Sequence, residues 1–190
     1  MEQAPLAAPD LGLTGILVGL LVLPPHLAGL LAPAPLITGA RSFPRSRFWG
    51  TLLVTMAAVW STWLTATSDL GEFSPMRTPI AIAWMAGGFL MWRFVPDFLS
   101  SRSLGFLLLL AAHPVMEATF LKTGALKLAL VLLAYGWALA GLFLVGIPVL
   151  HRDLIAWVCA SRTRWNAACW AGVLYGLFLL IAGIRTLFLA

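Results

Sequence analysis

From Leu11 to Leu31 the chain runs without an aspartate, glutamate, lysine or arginine, and a second such run extends from Leu128 to Leu150. A backbone crosses hydrocarbon only where its N–H and C=O groups bond one another, and roughly 20 apolar helical residues cover a bilayer core of about 30 Å. Barrel strands would instead alternate over segments of about ten residues. The runs here are continuous, so they specify helices. Composition makes the same demand: 190 residues that are 61% hydrophobic and 10% charged carry more apolar surface than a soluble domain of this length can bury. The expected fold is an all-α, polytopic transmembrane helix bundle of about six helices, a single integral-membrane domain over residues 1–190.

The six are expected near Leu11–Leu31, Phe48–Thr67, Ile80–Val95, Leu104–Leu121, Ala125–Leu150 and Asn166–Leu189. Pro24 and Pro25 remove backbone donors and predict a kink before His26, and Pro114 predicts another. Thr78 followed by Pro79 reads as an N-cap with proline at the first helical position, Ser103 reads as the cap of the fourth helix, and Pro148 loosens the end of the fifth. The first run is preceded by Glu2 and Asp10, without a lysine or arginine or a small-residue cleavage site, and is expected to be a retained helix rather than a signal peptide. The arm Met1 to Asp10 and the short links leave no room for a soluble catalytic domain, so any chemistry belongs in or at the membrane.

Arg41, Arg45, Arg47, Arg93, Arg102, Arg152, Arg162 and Arg164 fall on one expected side, and Arg77, Lys122, Lys127 and Arg185 on the other. The positive-inside rule then places both termini outside, with a bacterial inner (plasma) membrane as the expected setting. Tryptophans 49, 60, 63, 92, 157 and 165 are expected in an interfacial belt, and Trp84, Trp137 and Trp170 deeper. Gly15 and Gly19, with Gly172 and Gly176 extended by Ala168, offer small-residue grooves for close helix contacts.

The strongest polar feature is His113-Pro-Val-Met-Glu117, where an imidazole and a carboxylate share one helical face at membrane depth. Such a pair is costly in lipid and is expected to face the bundle, a wet cavity or a partner. It suits a proton relay or ligand site, against the plainer role of interhelical polar glue bonded to a serine or threonine of the second helix. His26 and His113 are candidate cofactor ligands for haem, with a pigment or quinone as further cofactor classes. Arg41, Arg45, Arg47, Arg152, Arg162 and Arg164 are candidate contacts for anionic lipid headgroups. Arg93 and Asp97 read as a boundary ion pair.

Two cysteines, Cys159 and Cys169, build neither a disulfide framework nor a four-thiolate metal site, and no metal site is expected. HExxH, P-loop, dinucleotide and CxxC motifs are absent, and His151-Arg152-Asp153 repeats a kinase triplet without the rest of a kinase. Three functions follow as expectations. The first is a non-catalytic or partner-dependent subunit of a membrane assembly, with a redox variant. The second is a proton-coupled carrier or channel using His113 and Glu117. The third is a membrane enzyme acting on a lipid or isoprenoid, with His151 or His113 as acid-base. The expected partners are membrane lipids and other membrane subunits or further copies of this chain, with no nucleic acid.

Overall fold

A computed structural model describes residues 10–188, which are helical with no strand among them. The helices are α1 (Leu11–Leu31), α2 (Pro33–Ser42), α3 (Arg47–Thr67), α4 (Arg77–Phe94), α5 (Leu99–Thr119), α6 (Ala125–Gly146), α7 (Pro148–Cys159) and α8 (Arg162–Phe188), with 3-10 turns at Phe43–Arg45 and Gly71–Met76. Glu2, the arm up to Pro9 and Leu189 lie outside the described residues. Four helices, α1, α5, α6 and α8, are long and apolar enough to cross a membrane. α2 and α7, with 10 and 12 residues, are too short to do so.

Local chemistry sets the boundaries. Asp10 caps α1, its Oδ1 accepting from the Leu13 N–H at 2.9 Å, and Ser46 caps α3 through the Trp49 N–H at 3.3 Å. α1 continues as α-helix through Pro24 and Pro25, and α5 through Pro114. Three expected boundaries move. The 3-10 turn over Gly71–Met76 delivers the chain into α4 at Arg77, so Thr78 lies inside the helix rather than capping it. α5 starts at Leu99, which puts Ser103 in its second turn and fully buried. The fifth hydrophobic run breaks at Ile147, because Pro148 has no N–H to continue a helix but suits the first position of a new one, α7.

The described chain forms two compact units. Among the described residues, the first comprises 10–37, 111–136 and 158–188. Its core is the α1–α8 seam, where a Cβ added to Gly12 would lie 2.9 Å from the Gly183 carbonyl, and one added to Gly19 would lie 3.0 Å from that of Gly176. The small-residue grooves therefore close on each other within the chain. Two bonds hold neighbouring helices in place: the Tyr175 hydroxyl of α8 donates to the Ala129 carbonyl of α6 at 2.6 Å, and the Trp165 indole donates to the Gly29 carbonyl of α1 at 2.9 Å. Leu130 and Leu179 are wholly buried here.

The second unit comprises residues 38–110 and 137–157. Its α3–α4 hairpin carries hydroxyls and indoles that bond within the hairpin. The hydroxyls of Thr55, Thr62, Thr65 and Thr67 each donate to the carbonyl four residues earlier. Trp84 donates to the Thr65 hydroxyl and Trp92 to that of Thr51, both at 3.1 Å. Arg77 reaches back from the start of α4 to the Ala66 and Ser68 carbonyls, where the end of α3 exposes its acceptors. α5 meets α6 where Gly105 and Gly141 face each other; a Cβ on Gly105 would come within 2.8 Å of the Gly141 carbonyl.

Candidate functional site

In the first unit, one turn of α5 brings the His113 Nδ1 to 3.7 Å from the Glu117 Oε2. Neighbouring residues of α5 bury their side chains: Ala112, Val115 and Ala118 are at most 7% exposed. The polar pair occupies the opposite face and is 63% and 54% exposed. It turns away from the packed face of its own helix and is thus presented outward.

His26 is held differently. Its Nδ1 lies 2.7 Å from the Val22 carbonyl. A carbonyl only accepts, so Nδ1 is the donor in this bond. The ring rests on Gly172 of α8, where any Cβ would collide with Cγ, Cδ2 and Nε2. Axial ligation of haem needs open space at that nitrogen, and in this packing Nε2 meets backbone; no contact joins His26 to His113. Cys169 sits one turn from Gly172, with its sulfur against Gly29, and both cysteines are buried and outside any disulfide. Among the described residues no group of three histidine, cysteine or acidic side chains is placed to hold a metal ion.

The second unit gathers the other sequence candidates around the start of α5. Ser100, Ser101 and Ser103 are wholly buried in its first two turns. The Ser100 hydroxyl donates to the Phe43 carbonyl at 2.5 Å, and the Ser101 Oγ lies 2.9 Å from the His151 Nδ1. The Phe43 ring stands edge-on to the His151 imidazole at 5.9 Å. Arg102 donates to the Val145 carbonyl at the end of α6, at 3.1 Å. Its Nε and the Ser103 Oγ are buried without a partner among the described residues. Phe98, just before these serines, has φ +55°, a left-handed conformation that costs a bulky residue about 1–2 kcal/mol. α7 lies outside the spanning segments, and burial pushes the His151 imidazole below its ordinary value of 6.5. A neutral imidazole bonded to a hydroxyl is the geometry of a base with its alcohol, here closed off from solvent at the serine and serving to tie α5 to α7.

Two cavities open beside this knot. One, of about 260 Å³, is lined by Arg41, Pro44, Arg45, Arg152, Ile155 and Ala156. The other, of about 440 Å³, is lined by Arg47, Thr51, Trp92, Arg93, Pro96 and Leu99. The six arginines expected to act together are thus distributed: Arg41, Arg45 and Arg152 share a cavity, Arg47 pairs with Arg93, and Arg162 and Arg164 open α8 in the other unit. The expected Arg93–Asp97 ion pair does not form. α4 ends at Phe94, so the two residues leave the common helical face, and the Arg93 guanidinium lies 5.5 Å over the Phe94 ring instead. Arg152 does bond a carboxylate, reaching the adjacent Asp153 through Nε at 2.9 Å and Nη2 at 2.8 Å.

Sequence reasoning missed Ser101. Its partner His151 lies 50 positions away, and the serine run opening α5 was the only local signal. Comparison with protein-family models, curated proteins and solved structures gave no match.

Proposed function

We propose that this chain is a six-span integral subunit of a membrane assembly, and that it meets its partner through the α5 face carrying His113 and Glu117. The observation that carries this reading is the exposure of that pair, 63% and 54%, while its own helix buries the other side. Ionisable groups within a spanning helix are costly in hydrocarbon and ordinarily face protein or a wet cavity. The two cavities described above are lined by other residues. A partner helix offering a hydroxyl, amide or charge would complete the pair.

The count of six adds α3 and α4 to the four strongly apolar helices. What supports it is that the polar groups which lower their hydropathy are bonded within the hairpin: threonine hydroxyls to carbonyls, indoles to threonines, and Arg77 to the end of α3. With six spans the loops holding Arg41, Arg45, Arg47, Arg93, Arg102 and Arg152 lie on the inner side and both termini outside.

Purification of the tagged chain in a mild detergent from its host, followed by mass spectrometry, tests the assignment. A stoichiometric membrane partner is expected with the wild type and is lost with His113→Ala or Glu117→Gln, while both variants keep the helical content and elution volume of the parent chain. An active, monodisperse monomer, or retention of the partner by both variants, overturns the reading.

A further inference from the structure

We propose that the cavity bounded by Arg41, Arg45 and Arg152 binds the phosphate of an anionic phospholipid headgroup. Three guanidiniums from three separate elements, α2, the 3-10 turn after it and α7, line one concavity of about 260 Å³. A planar guanidinium presents paired donors that match phosphate oxygens, and several in one site neutralise a charge that no single one would hold firmly. The carboxylate at hand is Asp153, bonded to Arg152 on an exposed edge. Arg45 and Arg152 against this one carboxylate leave the site positive.

The remaining lining selects a lipid as the source of the phosphate. Pro44, Ile155 and Ala156 give the cavity an apolar wall beside the arginines. On α7 the residues at one angular position, Arg152, Ile155 and Ala156, face the cavity, and the opposite stripe carries Leu150, Leu154 and Trp157, each about half exposed. A helix too short to span, with an apolar stripe opposite its one arginine, suits a place along the membrane surface. The guanidiniums then sit at headgroup depth, with hydrocarbon alongside to take acyl chains.

The site is also held in shape before any ligand arrives. Pro44 is among the most completely buried residues of the chain, and its neighbour Phe43 is fixed by the Ser100 hydroxyl and the His151 ring. His151 is in turn bonded to Ser101. Arg45 thus projects from a wall anchored on two helices, and its loss of freedom on binding is reduced accordingly. His113 and Glu117 belong to the other unit, so this inference stands independently of the partner reading.

Native mass spectrometry of the full chain in detergent provides the test, with phosphatidic acid or phosphatidylcholine of identical acyl chains as probes and inorganic phosphate as competitor. The wild type is expected to hold phosphatidic acid about tenfold more tightly than phosphatidylcholine, and the Arg45→Ala/Arg152→Ala double variant to lose that preference. Lys122→Ala, which removes a cation elsewhere, keeps it. Arg45→Lys, which preserves charge and leaves the wall undisturbed, is expected to retain the preference with several-fold weaker binding, because the paired donors are gone. Equal binding of both lipids by the wild type, or an unchanged preference in the double variant, overturns the site. Full displacement of phosphatidic acid by inorganic phosphate overturns the lipid as its source.

Discussion

At His151 one side chain joins three elements, because its ring contacts Phe43 and its Nδ1 meets Ser101 of α5. Burial lowers its proton affinity, so the unfolded chain, with an ordinary value near 6.5, takes up the proton first. Stability from this residue is therefore complete above about pH 6.5 and is lost as the pH falls from there toward the lowered folded value. Thermal unfolding of the detergent-purified chain at pH 8 and pH 5.5 is expected to show a lower midpoint under acid, and the drop should be smaller in His151→Asn, which cannot titrate. An equal drop in both proteins would assign the effect to other groups. The residue was visible in the sequence as one of three histidines; its importance was not, since the hydroxyl that engages it comes from a distant turn. His113 and Glu117 were legible as a pair because helical spacing alone dictates their approach. Which way the pair faces depends on how α5 packs, and spacing says nothing of that.

Helix pairing was legible where small residues recur at four-residue spacing. Gly15, Gly19 and Gly176 announced close contact, and the structure shows α1 and α8 as each other's partners, with Gly12 and Gly183 extending the seam. A Cβ on Gly183 would stand 2.8 Å from both the Gly12 carbonyl oxygen and the Ile16 nitrogen. Backbone cannot rotate aside as a side chain can, so Gly183→Ala is expected to push the helices apart and cost about 1–3 kcal/mol. Gly136 on α6 is the control: nothing lies within 4 Å of its added Cβ, and Gly136→Ala should be neutral or slightly stabilising. Paired melting curves in one detergent would separate these outcomes, and equal midpoints for the two variants would contradict the seam. The helix boundaries were less legible where proline has two meanings. Pro24, Pro25 and Pro114 lie within helices, whereas Pro148 opens a new one. Proline excludes the backbone donor in each case, and the bonds made by its surroundings decide whether the helix ends.

For the molecule as a whole, the all-helical class followed from composition and run length alone, and four helices meet the demands of a membrane crossing on those terms. α3 and α4 are not among them. The six-span proposal is checked by an epitope inserted at Gly71, a surface turn with open space around its added Cβ, and a second placed beside Ser46. Protection assays in intact and opened vesicles should find the two tags on opposite sides; tags on the same side would leave four crossings. The Trp84–Thr65 and Trp92–Thr51 bonds also bear on how such a chain is made. A ribosome delivers α3 before α4, so for a time α3 carries hydroxyls whose later indole partners are still untranslated. On the six-span proposal, the first of the two helices is expected to wait at the insertion machinery for the second, so that the hairpin enters the bilayer as one step of biosynthesis.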